Sequence, residues 1–305
     1  IAAWAVVGGA THAPHHVFHE WADKYAGKFD GGWDVYREQT LERQKSLGLV
    51  PPDTELTDRP DLFPAWDTLT DDEKELYARQ MEVFAGYSEN ADWNVGRLLD
   101  AVDELGERDN TLVVFIWGDN GASMEGTITG SFNEMTFLNG VVLEPDQQLA
   151  LIEQYGGVEA LGSDKTAPHF AAAWAHANNT PFQWGKQMAS HLGGTRNPMV
   201  IAWPSRIAAD ERMRSQFTHC IDVAPRSSRP PASRSPRPWT ASPRGSSSRT
   251  PTSSGLRALG RRGPQAQPHL LVPGRGVLPA DRRGAAAHRR RDGADAVRGG
   301  LPDPR

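Results

Sequence analysis

Between residues 70 and 105 the apolar positions return at steps of three and four, at Tyr77, Met81, Phe84, Tyr87, Ala91, Val95, Leu98, Val102 and Leu105. That period places them on one stripe of a helix. Thr70-Asp71-Asp72-Glu73 stands ahead of the stripe as a capping box, and Gly106 stands behind it as a stop. The pattern predicts one amphipathic helix of about 35 residues, roughly 50 Å long at its rise per residue. The pattern then changes. Thr111-Leu112-Val113-Val114-Phe115-Ile116-Trp117 carries no charge, which suits a strand buried on both faces of a parallel sheet. Met199-Val200-Ile201-Ala202-Trp203, closed by Pro204, predicts a second strand, and a shorter helix is expected from Asp146 to Tyr155. Residues 20–68 are rich in turn formers and charges, with aromatic anchors at Trp21, Phe29, Trp33, Phe63 and Trp66. They read as short helices and loops packed by those rings. A helix feeding an apolar strand is half of an α/β unit, so the expected architecture is an open α/β sheet with long functional loops after its strands.

Composition narrows the class. A chain of 305 residues, 38% hydrophobic and 23% charged, has the material for one large or two ordinary globular domains. No apolar run approaches the roughly 18 residues of a membrane span, so no membrane partner is expected. The single cysteine, Cys220, excludes an intrachain disulfide and any cysteine-rich zinc or iron-sulfur site. No signal peptide opens the chain, which starts at Ile1, and a cytoplasmic location is the expectation.

The net charge of −5 hides a division. Residues 226–305 hold 17 Arg, no Lys and 4 Asp, a balance of +13, against −18 for residues 1–225. The last stretch also holds 12 of the 23 prolines and 10 serines, without apolar periodicity, and is expected to be a disordered Arg/Pro/Ser-rich tail. Arginine-rich segments can bind nucleic acid, yet lysine is absent and Trp239 is the tail's single aromatic, so no nucleic-acid partner is expected. A third reading is translation out of frame. Residues Arg226 to Ala232 can be back-translated so that a one-base shift reads Val-Leu-Glu-Ala-Ala-Gly, turning tail text into helix text.

Three constellations in the body can carry chemistry. Gly118-Asp119-Asn120-Gly121 follows the apolar strand directly, at the strand end where ligands gather in open α/β folds. Asp119 and Asn120 offer hard oxygens suited to calcium or magnesium; a simple strand-closing turn remains the alternative. Thr11-His12-Ala13-Pro14-His15-His16-Val17-Phe18-His19 places four histidines within eight residues. Histidine can serve as a general acid or an anion donor, while a solvated turn would explain the cluster equally well. In Trp184-Gly185-Lys186-Gln187-Met188-Ala189-Ser190-His191-Leu192-Gly193-Gly194-Thr195-Arg196, three cationic or imidazole groups bracket a Gly-Gly turn. That arrangement suits a sulfate- or phosphate-sized anion, against the alternative of a basic surface loop. Cys220 is expected in a part-buried strand or helix start and is a poor nucleophile there. Asn178-Asn179-Thr180 matches a glycosylation sequon, a pattern met often by chance.

Taken in order, Ala13-Pro14-His15, Val95-Gly96-Arg97-Leu98-Leu99, Asp109-Asn110-Thr111-Leu112-Val113-Val114, Gly118-Asp119-Asn120-Gly121 and Gly193-Gly194-Thr195-Arg196-Asn197-Pro198 resemble the sulfatase family, and among its members the bacterial arylsulfatases. The resemblance covers about residues 10–225. It implies an alkaline-phosphatase-like α/β fold, with a central mostly parallel sheet flanked by helices, and hydrolysis of small-molecule sulfate esters. It further implies calcium, with magnesium possible, and a formylglycine nucleophile made from cysteine or serine. By position, Asp119 and Asn120 resemble metal ligands, His15 the histidine at the sulfate and leaving oxygen, and Lys186 the lysine that neutralises the sulfate. The family's Cys or Ser-x-Pro-x-Arg motif, which carries the nucleophile, occurs nowhere in the chain. Its paired aspartates and first Lys and His are absent as well. The expectation is therefore the C-terminal part of a sulfatase catalytic domain over residues 1–225, its N-terminal part missing, joined to an out-of-frame tail and inactive as it stands. A non-catalytic metal- or anion-binding module is the competing class, and a phosphodiesterase or phosphonate hydrolase of the same superfamily is the competing enzyme.

Overall fold

The computed structural model describes residues 11–118, 120–210, 212–214 and 216–223. Asp119 and the 226–305 tail lie outside the described residues. In chain order, α1 (His19–Ala22) and α2 (Gly32–Ser46) precede the long α3 (Asp71–Glu104). There follow β1 (Val113–Ile116), α4 (Glu134–Leu138), α5 (Pro145–Ile152), α6 (Ala172–Asn178), α7 (Leu192–Thr195) and β2 (Met199–Ala202).

Helix α3 begins as its sequence directs. The Thr70 hydroxyl accepts from the Glu73 N–H at 3.3 Å, and the Glu73 carboxylate accepts from the Thr70 N–H at 2.8 Å. Asp71, Asp72 and Glu73 put negative charge on the first turn, where the helix dipole favours it. Leu105 caps the other end and Gly106 leaves the helix at φ +70°. Replacing Thr70 with Ala should lower stability by about 1 kcal/mol in urea unfolding; an unchanged midpoint would mean that the cap contributes nothing.

The apolar stripe of α3 is covered over only half its length. Leu76, Tyr77, Met81, Val83 and Ala91 are buried, whereas Leu98 and Leu105 are exposed. Gly86 is the contact point for α1: a Cβ there would lie 2.6 Å from the Ala22 nitrogen and the Trp21 carbonyl carbon, so only glycine lets the two backbones cross. Arg79, buried on the same face, pairs with Glu82 of its own helix and ties α3 to Asp23 and Glu159, at 3.0 Å each.

The core is a cluster of aromatic rings around α6. Trp174, fully buried, meets Phe29, Trp33 and Trp66 edge-on at centroid distances of 5.6 to 5.8 Å. Each of the three tryptophans has its indole N–H satisfied by a main-chain carbonyl: Trp174 on Tyr77, Trp33 on Pro64 and Trp66 on Asp30. Alanines at 172, 173, 175 and 177 are small enough for α6 to sit wholly inside. The rings expected to anchor residues 20–68 do so at Phe29, Trp33, Phe63 and Trp66. That region is more ordered than short helices and loops, because α2 runs for 15 residues. Charges interrupt its apolar pattern, which hid the helix. The expected helix from Asp146 is α5, completed by a 3-10 turn, Glu153–Tyr155.

The sheet departs from expectation. Strands β1 and β2 pair antiparallel, with Val113 opposite Ala202 and Ile116 opposite Met199, and every residue of both is half-buried. Among the described residues no parallel pairing of named strands occurs. An uncharged run reports burial on two faces but not the direction of its neighbour, and mixed sheets satisfy the same burial. No helix among the described residues is long and apolar enough to cross a membrane.

Candidate functional site

Two loops that are far apart in sequence are joined after β1. The Gly121 N–H donates to the Asn197 side-chain carbonyl at 3.0 Å, and the Ala122 N–H to that of Asn179 at 3.1 Å. Asn179 uses its amide hydrogens on the Trp184 carbonyl at 3.0 Å, and the Lys186 N–H donates to the Ala122 carbonyl at 2.9 Å. Two asparagines thereby bind the turn carrying Asn120 to the loop carrying Lys186. Gly121 makes the fit possible: its φ is +82° and a Cβ would stand 1.8 Å from the Gly193 carbonyl oxygen. Gly121→Ala should cost about 2 kcal/mol through the left-handed backbone and the overlap. Thermal melting checks this, and a melting temperature equal to the parent's would contradict the docking of the loops.

Of the site residues expected from sequence, Lys186 is best defined. Its ammonium lies 2.7 Å from Glu125 Oε2, with 18% of the side chain exposed. Gln187 Nε2 donates to the other carboxylate oxygen at 2.6 Å, and the Ser123 hydroxyl approaches Oε2 at 3.2 Å. The hydrogen bond from Lys186 leads in holding the Glu125 carboxyl below its ordinary range. Trp184 and Gln187, on either side of Lys186, both take positive φ, at +63° and +75°. Backbone strain of this kind costs on the order of 1–3 kcal/mol per residue and gathers at functional sites.

His15 lies deeper. It is 2% exposed and boxed by the rings of Phe84, His169 and Phe170 at 4.9 to 5.0 Å, with Tyr87 at 6.4 Å. Burial, then the neighbouring His169, drives its pKa well below the ordinary histidine value, so the ring is neutral at pH 7. His12, His16 and His19 are exposed, so one of the four clustered histidines is enclosed. Asn120 is half-buried on its turn, and Asp119 is outside the described residues. His191 packs on Trp184 at 6.1 Å, and Arg196 covers the Phe182 ring at 4.8 Å.

A ring contact between His15 and His169 and then hydrogen bonds connect the two ends of the site. His169 Nδ1 donates to the Phe170 carbonyl at 3.0 Å, which leaves Nε2 of the neutral ring to accept from the Ser123 hydroxyl at 3.0 Å. Ser123 adjoins Glu125, and Glu125 holds Lys186. The line runs His15, His169, Ser123, Glu125, Lys186. Its three inner members escaped the sequence reading, as did Asn179 and Asn197. One signal was present: Ala167-Pro168-His169 repeats Ala13-Pro14-His15, and the His15 N–H donates to the Pro168 carbonyl at 2.9 Å.

A divalent cation is a different matter. Among the described residues no three His, Cys, Asp or Glu side chains gather in a metal-sized group. Asp119 and Asn120 would bring two oxygens, whereas calcium takes six to eight. The described residues do not by themselves make a closed calcium site. Cys220 also departs from expectation, since it opens a 3-10 turn and is exposed rather than part-buried. Asn178, the sequon asparagine, points its amide inward to Met81 Sδ at 3.7 Å, and Thr180 is buried.

The family model for sulfatases matches residues 6–228. The chain belongs to the sulfatase family. That membership implies an alkaline-phosphatase-like α/β fold and, at the level of the family, hydrolysis of sulfate esters. The chain is 33% identical over 225 residues to an uncharacterized sulfatase of Schizosaccharomyces pombe, a match covering 71% of this chain and 36% of that protein. It is 29% identical over 218 residues to an arylsulfatase of Klebsiella aerogenes, covering 71% of this chain and 43% of that enzyme. The chain thus spans well under half the length of these two sulfatases.

Proposed function

We propose that this sulfatase chain supplies the anion-holding side of an arylsulfatase-type site for small-molecule sulfate esters, and that as a 305-residue chain it does not turn over. The observation that carries the first part is the docking of the Asn120 turn to the Lys186 loop through Asn179 and Asn197. In this reading the Lys186 ammonium binds a sulfate oxygen, and the neutral His15 offers its ring N–H towards the leaving oxygen. Asp119 and Asn120 are assigned as oxygens towards calcium, or magnesium, to be completed by ligands other than those described. The metal would supply charge stabilisation on the sulfate group. His169, Ser123 and Glu125 keep the lysine and the histidine in fixed relation. The second part rests on the missing Cys or Ser-x-Pro-x-Arg motif, without which no formylglycine forms in this chain.

The motif's absence also favours a second reading, an anion-binding module without chemistry. The two separate on one pair of assays with the purified chain. Methyl sulfate, which carries a single negative charge, should bind the parent and not Lys186→Ala by calorimetry, while 4-nitrophenyl sulfate with calcium should release no 4-nitrophenol above the protein-free control. Methyl sulfate binding that survives Lys186→Ala would remove both readings. Release of 4-nitrophenol would remove the module and the inactivity together.

A further inference from the structure

Resting on that assignment of Lys186 to the anion site, we propose that Glu125 is a specificity-determining residue that makes the site accept singly charged esters and reject doubly charged ones. The Lys186 ammonium and the Glu125 carboxylate stand 2.7 Å apart and are both restrained, the lysine by its burial and the carboxylate by Gln187 and Ser123. Their charges cancel. An ester that approaches Lys186 therefore meets a paired cation with a fixed negative charge beside it.

A sulfate monoester carries one negative charge at any pH near neutral. A phosphate monoester of the same shape carries nearly two at pH 8, because its second proton leaves near pH 6. Shape cannot separate the two, but charge can: the second negative charge of the phosphate ester is opposed by Glu125, whose carboxylate already occupies the Lys186 ammonium. Ser123 strengthens the discrimination. Its hydroxyl faces both His169 Nε2 and Glu125 Oε2, at 3.0 and 3.2 Å, and a hydrogen bond to Oε2 favours the ionised carboxylate and holds it in place beside Lys186. His169 remains an acceptor at neutral pH, because burial pushes its pKa down to about 4.

The test titrates the whole 305-residue chain at pH 8 with methyl sulfate and with methyl phosphate, followed by NMR shift changes. The parent should bind methyl sulfate more tightly. Glu125→Gln should move the ratio of the two dissociation constants towards methyl phosphate by about fivefold or more, while Glu125→Asp keeps the parent's ratio. Lys186→Ala should lose both ligands. A parent that prefers methyl phosphate overturns the proposal without any variant. An unchanged ratio in folded Glu125→Gln, with binding lost in Lys186→Ala, overturns the role of Glu125 and leaves the lysine site standing. If the parent binds neither ester, or Lys186→Ala binds both, the assignment of the site itself fails and Glu125 with it.

Discussion

Trp174→Ala should be the most damaging single substitution in the chain, lowering unfolding free energy by about 3–5 kcal/mol. The side chain is fully buried and lies edge-on to Phe29, Trp33, Tyr36 and Trp66, so its removal strips one ring from four aromatic pairs and leaves a cavity. The alanines that flank it on α6 have no volume with which to collapse into the space. Domains are stable by only about 5–15 kcal/mol, so the variant should melt far below the parent or fail to fold cooperatively. Trp174→Phe keeps an aromatic ring in place and should lose less. Equal melting of Trp174→Ala and parent in calorimetry would show that these rings do not form the centre of the fold.

Acid should unfold the protein well before its carboxylates are protonated. His169 and His176 are both buried, and burial pushes the pKa of each down to about 4. In the unfolded chain each titrates near 6.5. Between those values the unfolded state holds a proton that the folded state refuses, so stability is complete above about pH 6.5 and falls as the pH drops towards 4. At pH 5 the loss is about 2 kcal/mol for each histidine relative to pH 7.5, roughly 4 kcal/mol together. His15 acts in the same direction. His176 is a clean probe, because neither of its ring nitrogens has a hydrogen-bond partner and its ring packs against Phe63. His176→Leu should remove about 2 kcal/mol of the loss between pH 7.5 and pH 5 in urea titrations. A parent equally stable at both values would contradict the burial of all three rings.

Local chemistry was the legible part of this sequence. Thr70 and Glu73 announce the start of α3, Gly106 its end, and the uncharged run before Gly118 the strand β1. What lies across the chain was less visible. The stripe from Tyr77 to Leu105 predicts a helix correctly but says nothing of where its cover stops, and Leu98 and Leu105 are exposed. The run from Val113 to Ile116 marks a strand, yet the antiparallel direction of β2 depends on how the chain returns over some eighty residues. The same holds for the site. Lys186 is a candidate in the sequence through its position before Gly193-Gly194, while Glu125, Ser123 and His169 acquire meaning only when the loops meet. Asn179 and Asn197 look like turn residues until their amides are seen to bind those loops together.

If Lys186, beside the docked Asn120 loop, holds the sulfate group of an ester, crystals of the chain grown with methyl sulfate should show a sulfate oxygen within hydrogen-bond distance of Lys186 Nζ, with Glu125 still paired to the same ammonium. Methyl sulfate bound only at sites remote from Lys186, with the Lys186–Glu125 pair closed and unchanged, would place the sulfate site elsewhere.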